Sequence, residues 1–225
     1  MPLTLLSADT ALSFLGVSVL LGYSPGPDNL YVLTQSLSHG RRAGLAAVSG
    51  FCLGLTGHTL AAVLGVSALA ASSPMAMKGL TLLGALWLLR LAYLSWRAAS
   101  TAAESSVALP DEPATEVTGA PSAAALIRRG ALMNLSNPKV LLFFLAFLPQ
   151  FVAPVPQAGP VAWQLIQLGA LFMLATLIAF GSIALGADAL RRRWLGSPTA
   201  LKRLDRLTAV ILAGLAVRLL VGEVG

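Results

Sequence analysis

The chain has 225 residues, of which 56% are hydrophobic and 11% are charged. A soluble globule of this size would need more polar side chains to cover its surface, so the composition indicates an integral membrane protein in a lipid bilayer. The formal net charge of +6 would suggest nucleic acid as a partner of a soluble protein. Here most Arg and Lys residues lie between apolar segments, where they set membrane orientation, and no nucleic-acid partner is expected.

Apolar runs of about 20 residues predict membrane-spanning helices, and six such runs follow one another along the chain. A polar, acidic linker with three prolines at 100–123 separates the third run from the fourth and divides the chain into two sets of three. The predicted fold is all-α, a single transmembrane domain over 1–225 with one repeat at 8–99 and the other at 124–225. The predicted spans are 10–37, 43–71, 77–97, 124–150, 163–189 and 206–223.

Two of these spans, the first and the fourth, are broken by proline beside a charge, at Ser24–Asn29 (SPGPDN) and at Ser136–Lys139 (SNPK). Proline removes a backbone donor and clashes with the preceding turn, so the freed carbonyls need other partners. Breaks of this kind in hydrocarbon line a cavity, and matching breaks in two halves indicate the midplane binding site of a transporter. The predicted substrate-binding residues are Ser24, Pro25, Gly26, Pro27, Asp28, Asn29, Asn134, Ser136, Asn137, Pro138 and Lys139.

The two breaks carry opposite charges. Laying Pro27 on Pro138 puts Asp28 opposite Lys139, and both charges fall too deep in their spans to reach water readily. Charged residues at this depth face the bundle interior, have partners and serve a transport pathway. The alternative is an Asp28–Lys139 ion pair that only holds two helices together.

His58 falls near the middle of the second predicted span. An imidazole exchanges protons near neutral pH, so His58 and Asp28 are the predicted proton-coupling residues. The alternative for His58 is a hydrogen-bonded packing role. No metal site is expected, because the second imidazole, His39, lies at a loop. The lone Cys52 permits no disulfide and no thiol pair for electron transfer, and no cofactor is predicted.

Basic residues cluster in the odd-numbered loops, which the positive-inside rule places in the cytoplasm, with both termini facing outward. Three spans per half then give the second half the opposite topology, so the two repeats are predicted to be inverted. Arg90 and Arg218 are assigned no role. The odd-loop basic residues are Arg41, Arg42, Arg97, Arg128, Arg129, Arg191, Arg192, Arg193, Lys202, Arg203 and Arg206.

Gly50 and Gly54 form a small-xxx-small face on which two helix backbones can approach closely. Packing inside one subunit is the favoured interpretation, and a homodimer contact is the alternative.

Three blocks of sequence, in order, resemble the LysE/RhtB family of bacterial amino-acid exporters over nearly the whole chain. The first block contains Pro25–Asn29, Gly40–Leu45 and His58. The second contains Arg129-Gly130, Asn134, Asn137–Lys139 and Phe143–Phe151, and the third runs from Leu204–Leu207 to Arg218-Leu219. The resemblance implies a transporter and not an enzyme, located in the bacterial inner membrane. It also implies efflux of amino acids or close derivatives from the cytoplasm, driven by a proton or membrane-potential gradient.

The site has one acidic and one basic group and no second acid in the middle of any predicted span. A lysine-like cargo would require a second carboxylate for its side-chain ammonium, because a buried unpaired cation is costly. The expected cargo is therefore a neutral amino acid, with an inward proton as the counter-ion. The alternatives are an intramembrane enzyme, or efflux of a metal cation or another small solute.

Overall fold

The computed structural model describes residues 4–24, 26–101, 121–152, 159–187 and 198–222, and this part of the chain is helical. Pro25 and most of the predicted linker lie outside the described residues. A π-helical turn, Phe143–Phe147, and a 3-10 turn, Leu148–Phe151, continue the sixth helix. The α-helices are α1 (Ala8–Tyr23), α2 (Pro27–His39), α3 (Arg41–Ser72), α4 (Pro74–Thr101), α5 (Ala123–Leu135), α6 (Pro138–Leu142), α7 (Val161–Leu185) and α8 (Pro198–Gly222).

Three stretches of helix are long and apolar enough to cross a membrane: Arg41–Val66, Lys78–Ser100 and Val161–Leu185. Helix α5 and the segment Pro138–Phe151 together form a fourth candidate, bent by 52° at the break. Helix α1 is apolar but shorter. These findings confirm a helical membrane protein, and the division into six spans and two inverted repeats remains a prediction.

Both proline-bearing breaks have the same local construction. Helix α1 ends at Tyr23, Gly26 is extended, and α2 begins at Pro27. Helix α5 ends at Leu135, Asn137 is extended, and α6 begins at Pro138. Proline is favourable at the first position of a helix, because that N–H has no partner inside the helix in any case. Each break is therefore the end of one helix followed at once by the start of another.

Helices α3 and α5 lie against each other almost backbone to backbone. A side chain added at Gly50 would collide with the backbone of α5 at Ile127 and Ala131, and one added at Gly130 would collide with the carbonyl oxygen of Ala47. Gly54 lies just as close to Asn134. The Gly50–Gly54 face is thus occupied by packing within the chain, as the favoured interpretation of the sequence expected. The homodimer remains an untested prediction.

The two ends of the helical bundle can be told apart by one contact at each end. Where the chain begins, the indole Nε1 of Trp163 in α7 donates to the carbonyl oxygen of Thr4 at 2.9 Å. At the opposite end, the Arg206 guanidinium of α8 lies over the Trp96 ring of α4, 5.8 Å from its centroid. We call this second end, where α4 finishes and α8 begins, the linker end of the bundle.

The core near the first of these ends is aromatic. The rings of Phe14 and Phe151 meet edge to face with centroids 5.0 Å apart, and the Phe143 and Phe147 centroids are 4.7 Å apart. The ring centroid of Phe172 in α7 lies 5.1 Å from that of Phe143. We call these five residues the phenylalanine cluster. A second apolar group, which includes Tyr31, Phe51 and Phe180, fills the space between α2, α3 and α7.

Candidate functional site

The two helix breaks meet through one hydrogen bond. The Nδ2 atom of Asn137 donates to Oδ2 of Asp28 at 2.9 Å. The Asp28 side chain is buried, with 7% of its surface exposed. Because the amide belongs to the second break and the carboxylate to the first, this contact ties the start of α2 to the start of α6.

Two backbone carbonyls near the first break accept local hydrogen bonds. The side-chain Nδ2 of Asn29 reaches back across the break and donates to the carbonyl oxygen of Gly22 at 2.9 Å. The N–H of Ser24 donates to the Leu21 carbonyl oxygen at 3.1 Å. A buried carbonyl without a partner is costly, so Asn29 stabilises the end of α1 from its place in the first turn of α2.

At the second break, Asn137 has two roles. Its Oδ1 accepts from the backbone N–H of Lys139 at 3.0 Å, which is the usual geometry of an Asn N-cap. Its backbone N–H donates to the Asn134 carbonyl oxygen at 3.0 Å. The same side chain therefore begins α6 and holds Asp28, so the position of the carboxylate depends on the cap.

Lys139 and Asp28 attract each other electrostatically. No hydrogen bond or ion pair within 4.0 Å joins them in the described part of the chain, and the direct partner of the carboxylate is Asn137. The Lys139 side chain is half-buried. The sequence alternative of a direct ion pair that only locks two helices is therefore not the arrangement found.

His58 is connected to Asn137 through the carbonyl oxygen of Asn134, which both residues contact. Its ring is 3% exposed, and Nε2 lies 2.9 Å from the Asn134 carbonyl oxygen. A carbonyl oxygen only accepts, so Nε2 carries the proton in this bond. The ring also lies 5.7 Å from that of Phe144. Among the described residues, no group of three or more His, Cys, Asp or Glu side chains is placed to hold a metal ion.

A cavity of about 660 Å³ opens between the breaks and the linker end of the bundle. Its volume lies within the range of about 300–1,000 Å³ that is usual for small-molecule sites. Polar groups line it at the breaks, and apolar side chains of α4, α7 and α8 line most of the remainder. Its wall includes Leu21, Gly22, Leu30, Leu91, Leu94, Ser95, Ala98, Val140, Phe172, Thr176, Phe180, Asp205 and Leu212.

Most of the substrate-binding residues predicted from the sequence lie in this wall. Ser136 and Pro138 are not among the lining residues, and Pro25 lies outside the described residues. His58 is also not in the wall, but it contacts the backbone of Asn134, which is. The predicted residues in the wall are Ser24, Gly26, Pro27, Asp28, Asn29, Asn134, Asn137 and Lys139.

The sequence analysis missed the contributions of α4, α7 and α8. In α7 the lining residues Phe172, Thr176 and Phe180 recur every fourth position, which is the spacing of one helix face. Asp205 of α8 was overlooked because it lies among basic residues just before the sixth predicted span. The sequence feature that could have drawn attention to Asp205 is an acid within an otherwise cationic segment.

Comparisons with known proteins identify the family of this chain. The LysE type translocator family matches residues 12–223. An uncharacterized membrane protein of Vibrio cholerae is 31% identical over 206 residues, which cover 90% of this chain and 92% of that protein. The homoserine/homoserine lactone efflux protein of Salmonella typhimurium is 30% identical, with 86% and 87% of the two chains covered.

The leucine efflux protein of Klebsiella pneumoniae is 28% identical over 70% of each chain. No solved structure matches the chain. The family match covers nearly the full length, from within α1 to beyond the end of α8, and two of these relatives are named for amino-acid efflux. The chain therefore belongs to the family of LysE type translocators.

Proposed function

We propose that this protein exports neutral amino acids or close derivatives from the cytoplasm across the bacterial inner membrane. The observation that carries the proposal is the cavity itself, in whose wall Asp28 and Lys139 present opposite charges beside the amides of Asn134 and Asn137. A zwitterion has one carboxylate and one ammonium, so a wall with one anion and one cation is complementary to it. Membership of a translocator family supports transport over catalysis.

The charges suggest how the cargo is oriented. Lys139 attracts the cargo carboxylate, and exposed N–H groups at a helix break favour an anion because they carry the positive end of a helix dipole. Asp28 attracts the ammonium, together with carbonyl groups freed near the end of α1. Asn29, Asn134 and Asn137 supply neutral donors and acceptors in the same wall. The remaining wall is apolar and accepts the aliphatic side chain.

The neutral character of the cargo rests on a charge count at the breaks. The described lining residues include two acids, Asp28 at the breaks and Asp205 at the linker end, and the α-ammonium of any amino acid occupies Asp28. A side-chain ammonium at the same depth would lack a partner, which is costly. The relatives named for homoserine and leucine efflux carry names of neutral amino acids, in agreement with this count.

Helix contacts support two inverted repeats. Helix α1 packs on α7 of the other half, and α5 packs in the same way on α3 of the first half. The two central helices α3 and α7 contact each other, and so do the two last helices, α4 and α8. Each of these four contacts has an equivalent when the halves are exchanged. Such a pair of repeats allows one half to rock against the other around a central site.

The proposed orientation has the odd loops in the cytoplasm and both termini outside. The cavity extends from the breaks toward Ala98 and Asp205, at the end where the basic segments lie. In that orientation it opens to the cytoplasm and represents the state that collects cargo. The phenylalanine cluster then lies between the breaks and the outer face.

We assign the counter-ion to a proton, with Asp28 or His58 as its carrier. Asp28 contacts the cavity directly, whereas His58 is connected to it through the backbone of Asn134. A proton bound at Asp28 would remove the charge that holds the ammonium. Inward movement of the proton and outward movement of the cargo would be linked by competition for one carboxylate.

Counterflow in proteoliposomes tests the proposal. Vesicles loaded with unlabelled leucine or homoserine should accumulate the labelled amino acid from outside, and vesicles loaded with lysine or arginine should accumulate the basic label only weakly. Protein-free vesicles are the control. Accumulation of a metal cation or another solute, with none of any amino acid, would overturn the proposed function.

A further inference from the structure

Asp205 is a carboxylate in the cavity wall that the transport scheme above does not use. It lies two turns into α8, has 9% of its surface exposed, and lines the same cavity as Asp28 and Lys139. Within the described part of the chain, no group forms a hydrogen bond or an ion pair with it. It is therefore a buried anion whose open side is the cavity.

The basic residues beside Asp205 in the sequence do not neutralise it. Arg206 lies over the ring of Trp96, and Arg203 is exposed. Neither these side chains nor Lys202 come within 4.0 Å of the carboxylate oxygens of Asp205. Among the described residues, the cations near Asp205 thus leave it without a partner, and Asp205 lines the cavity.

A buried carboxylate without a partner costs free energy that a bound cation would recover. The neighbouring wall, formed by Leu94, Ser95 and Ala98 of α4, is small and mostly apolar. The Arg206–Trp96 contact shows that α4 and α8 lie side by side at this level. One anion facing a small apolar wall suits a primary ammonium attached to a short aliphatic group.

We propose that Asp205 is an ammonium-binding residue at the linker end of the cavity, where it receives the amino group of the cargo before that group reaches Asp28. The identity of the cargo rests on the proposed function, whereas binding of an ammonium group does not. The two carboxylates would then form successive positions for one cation along the same cavity.

Calorimetric binding of n-butylammonium to the purified protein in detergent tests the subsite without any transport. An Asp28→Asn background leaves Asp205 as the remaining acid among the described lining residues. In that background, Asp205→Asn should weaken binding roughly 10- to 100-fold, as expected for loss of a charged partner. Asp205→Glu should bind more tightly than Asp205→Asn, and Asp9→Asn, which removes an exposed acid of α1, should have no effect. Equal affinity in the Asp205→Asn and Asp9→Asn variants would overturn the proposal.

Ser95→Lys keeps the test decisive if Asp205→Asn does not fold. The introduced ammonium should occupy the Asp205 carboxylate and abolish butylammonium binding, with Ser95→Gln as the uncharged control. Unchanged binding in Ser95→Lys would count against the subsite.

Competition with leucine, with its 2-hydroxy acid analogue and with lysine identifies the source of the ammonium. Loss of leucine affinity in Asp205→Asn, with no change for the hydroxy acid, assigns the subsite to the α-ammonium. Loss for lysine alone overturns that assignment and places a side-chain ammonium there. If butylammonium binds through Asp205 but the protein exports no amino acid, the proposed function fails and the subsite stands.

Discussion

Asn137 and Asp28 connect the two halves of the protein, because Nδ2 of Asn137 donates to Oδ2 of Asp28 at 2.9 Å across a sequence separation of 109 residues. The amide keeps the carboxylate in place and leaves its charge intact. A lysine in direct contact would cancel that charge. The charge of Asp28 therefore stays available to a ligand in the cavity.

Neutralising either Asp28 or Lys139 should abolish export. Asp28→Asn or Lys139→Gln leaves the other charge without its electrostatic partner at depth, which costs more than losing both. If the charges bind cargo, the double variant Asp28→Asn/Lys139→Gln should also be inactive while remaining in the membrane. Initial rates of counterflow and the amount of protein in the membrane fraction measure this. Transport by the double variant near the wild-type rate would remove both residues from the site.

Asn137→Ala should reduce both stability and transport. It removes the N-cap of α6, which is worth about 1 kcal/mol, and it removes the donor that holds Asp28. Asn137→Asp keeps the cap but places a second carboxylate against the first, so it should preserve more stability than activity. Thermal unfolding in detergent and counterflow separate the two effects. Equal losses of activity and stability in both variants would show that Asn137 only begins the helix.

His58→Gln should separate proton coupling from cargo binding. Glutamine can still donate a hydrogen bond to the Asn134 carbonyl oxygen but carries no exchangeable charge. If His58 relays the proton, counterflow should persist, while accumulation driven by a pH gradient should be lost. Retention of gradient-driven accumulation would assign the proton to Asp28 instead.

Gly50→Ala and Gly130→Ala should destabilise the protein by about 1–3 kcal/mol, as is typical of overpacking. An added methyl group at either position meets the backbone of the facing helix. Gly16→Ala and Gly214→Ala are matched controls, because a methyl group there meets nothing within 4 Å. The measurement is the unfolding temperature in detergent. Equal shifts in all four variants would contradict close packing of α3 on α5.

The linker and the C-terminus should be labelled from opposite sides of the membrane. Single cysteines at Ser105 and at Gly225, in a Cys52→Ala background, can be tested with an impermeant maleimide on intact cells. The excess of basic residues in the odd loops predicts that the C-terminal thiol reacts and the Ser105 thiol does not. Reaction of both thiols from outside would refute the inverted-repeat topology.

The sequence was sufficient to predict the helical membrane fold and the placement of the breaks. Proline at 27 and 138 has strong local effects, so the start of α2 and of α6 followed from chemistry within a few residues. Alignment of the two halves put Asp28 opposite Lys139, and both residues line the same cavity.

Hydrogen bonds between side chains of different helices could not be predicted in the same way. The hydrogen bond from Asn137 to Asp28 depends on how two half-helices are oriented, and no spacing in the sequence specifies that. Asp205 was missed for a related reason. Sequence position placed it in a basic loop, whereas the packing of α8 on α4 turns it toward the cavity.

Under the proposed transport function, the phenylalanine cluster would act as a seal on one side of the site. Its five rings come from α1, from the segment that continues α6, and from α7, so they join both halves of the chain. Each aromatic pair contributes about 0.5–1.5 kcal/mol beyond its buried area. In the proposed orientation, the cavity would reach the outer face only when these rings separate, so the energy of their separation would set how rarely the empty carrier exposes its site to the outside.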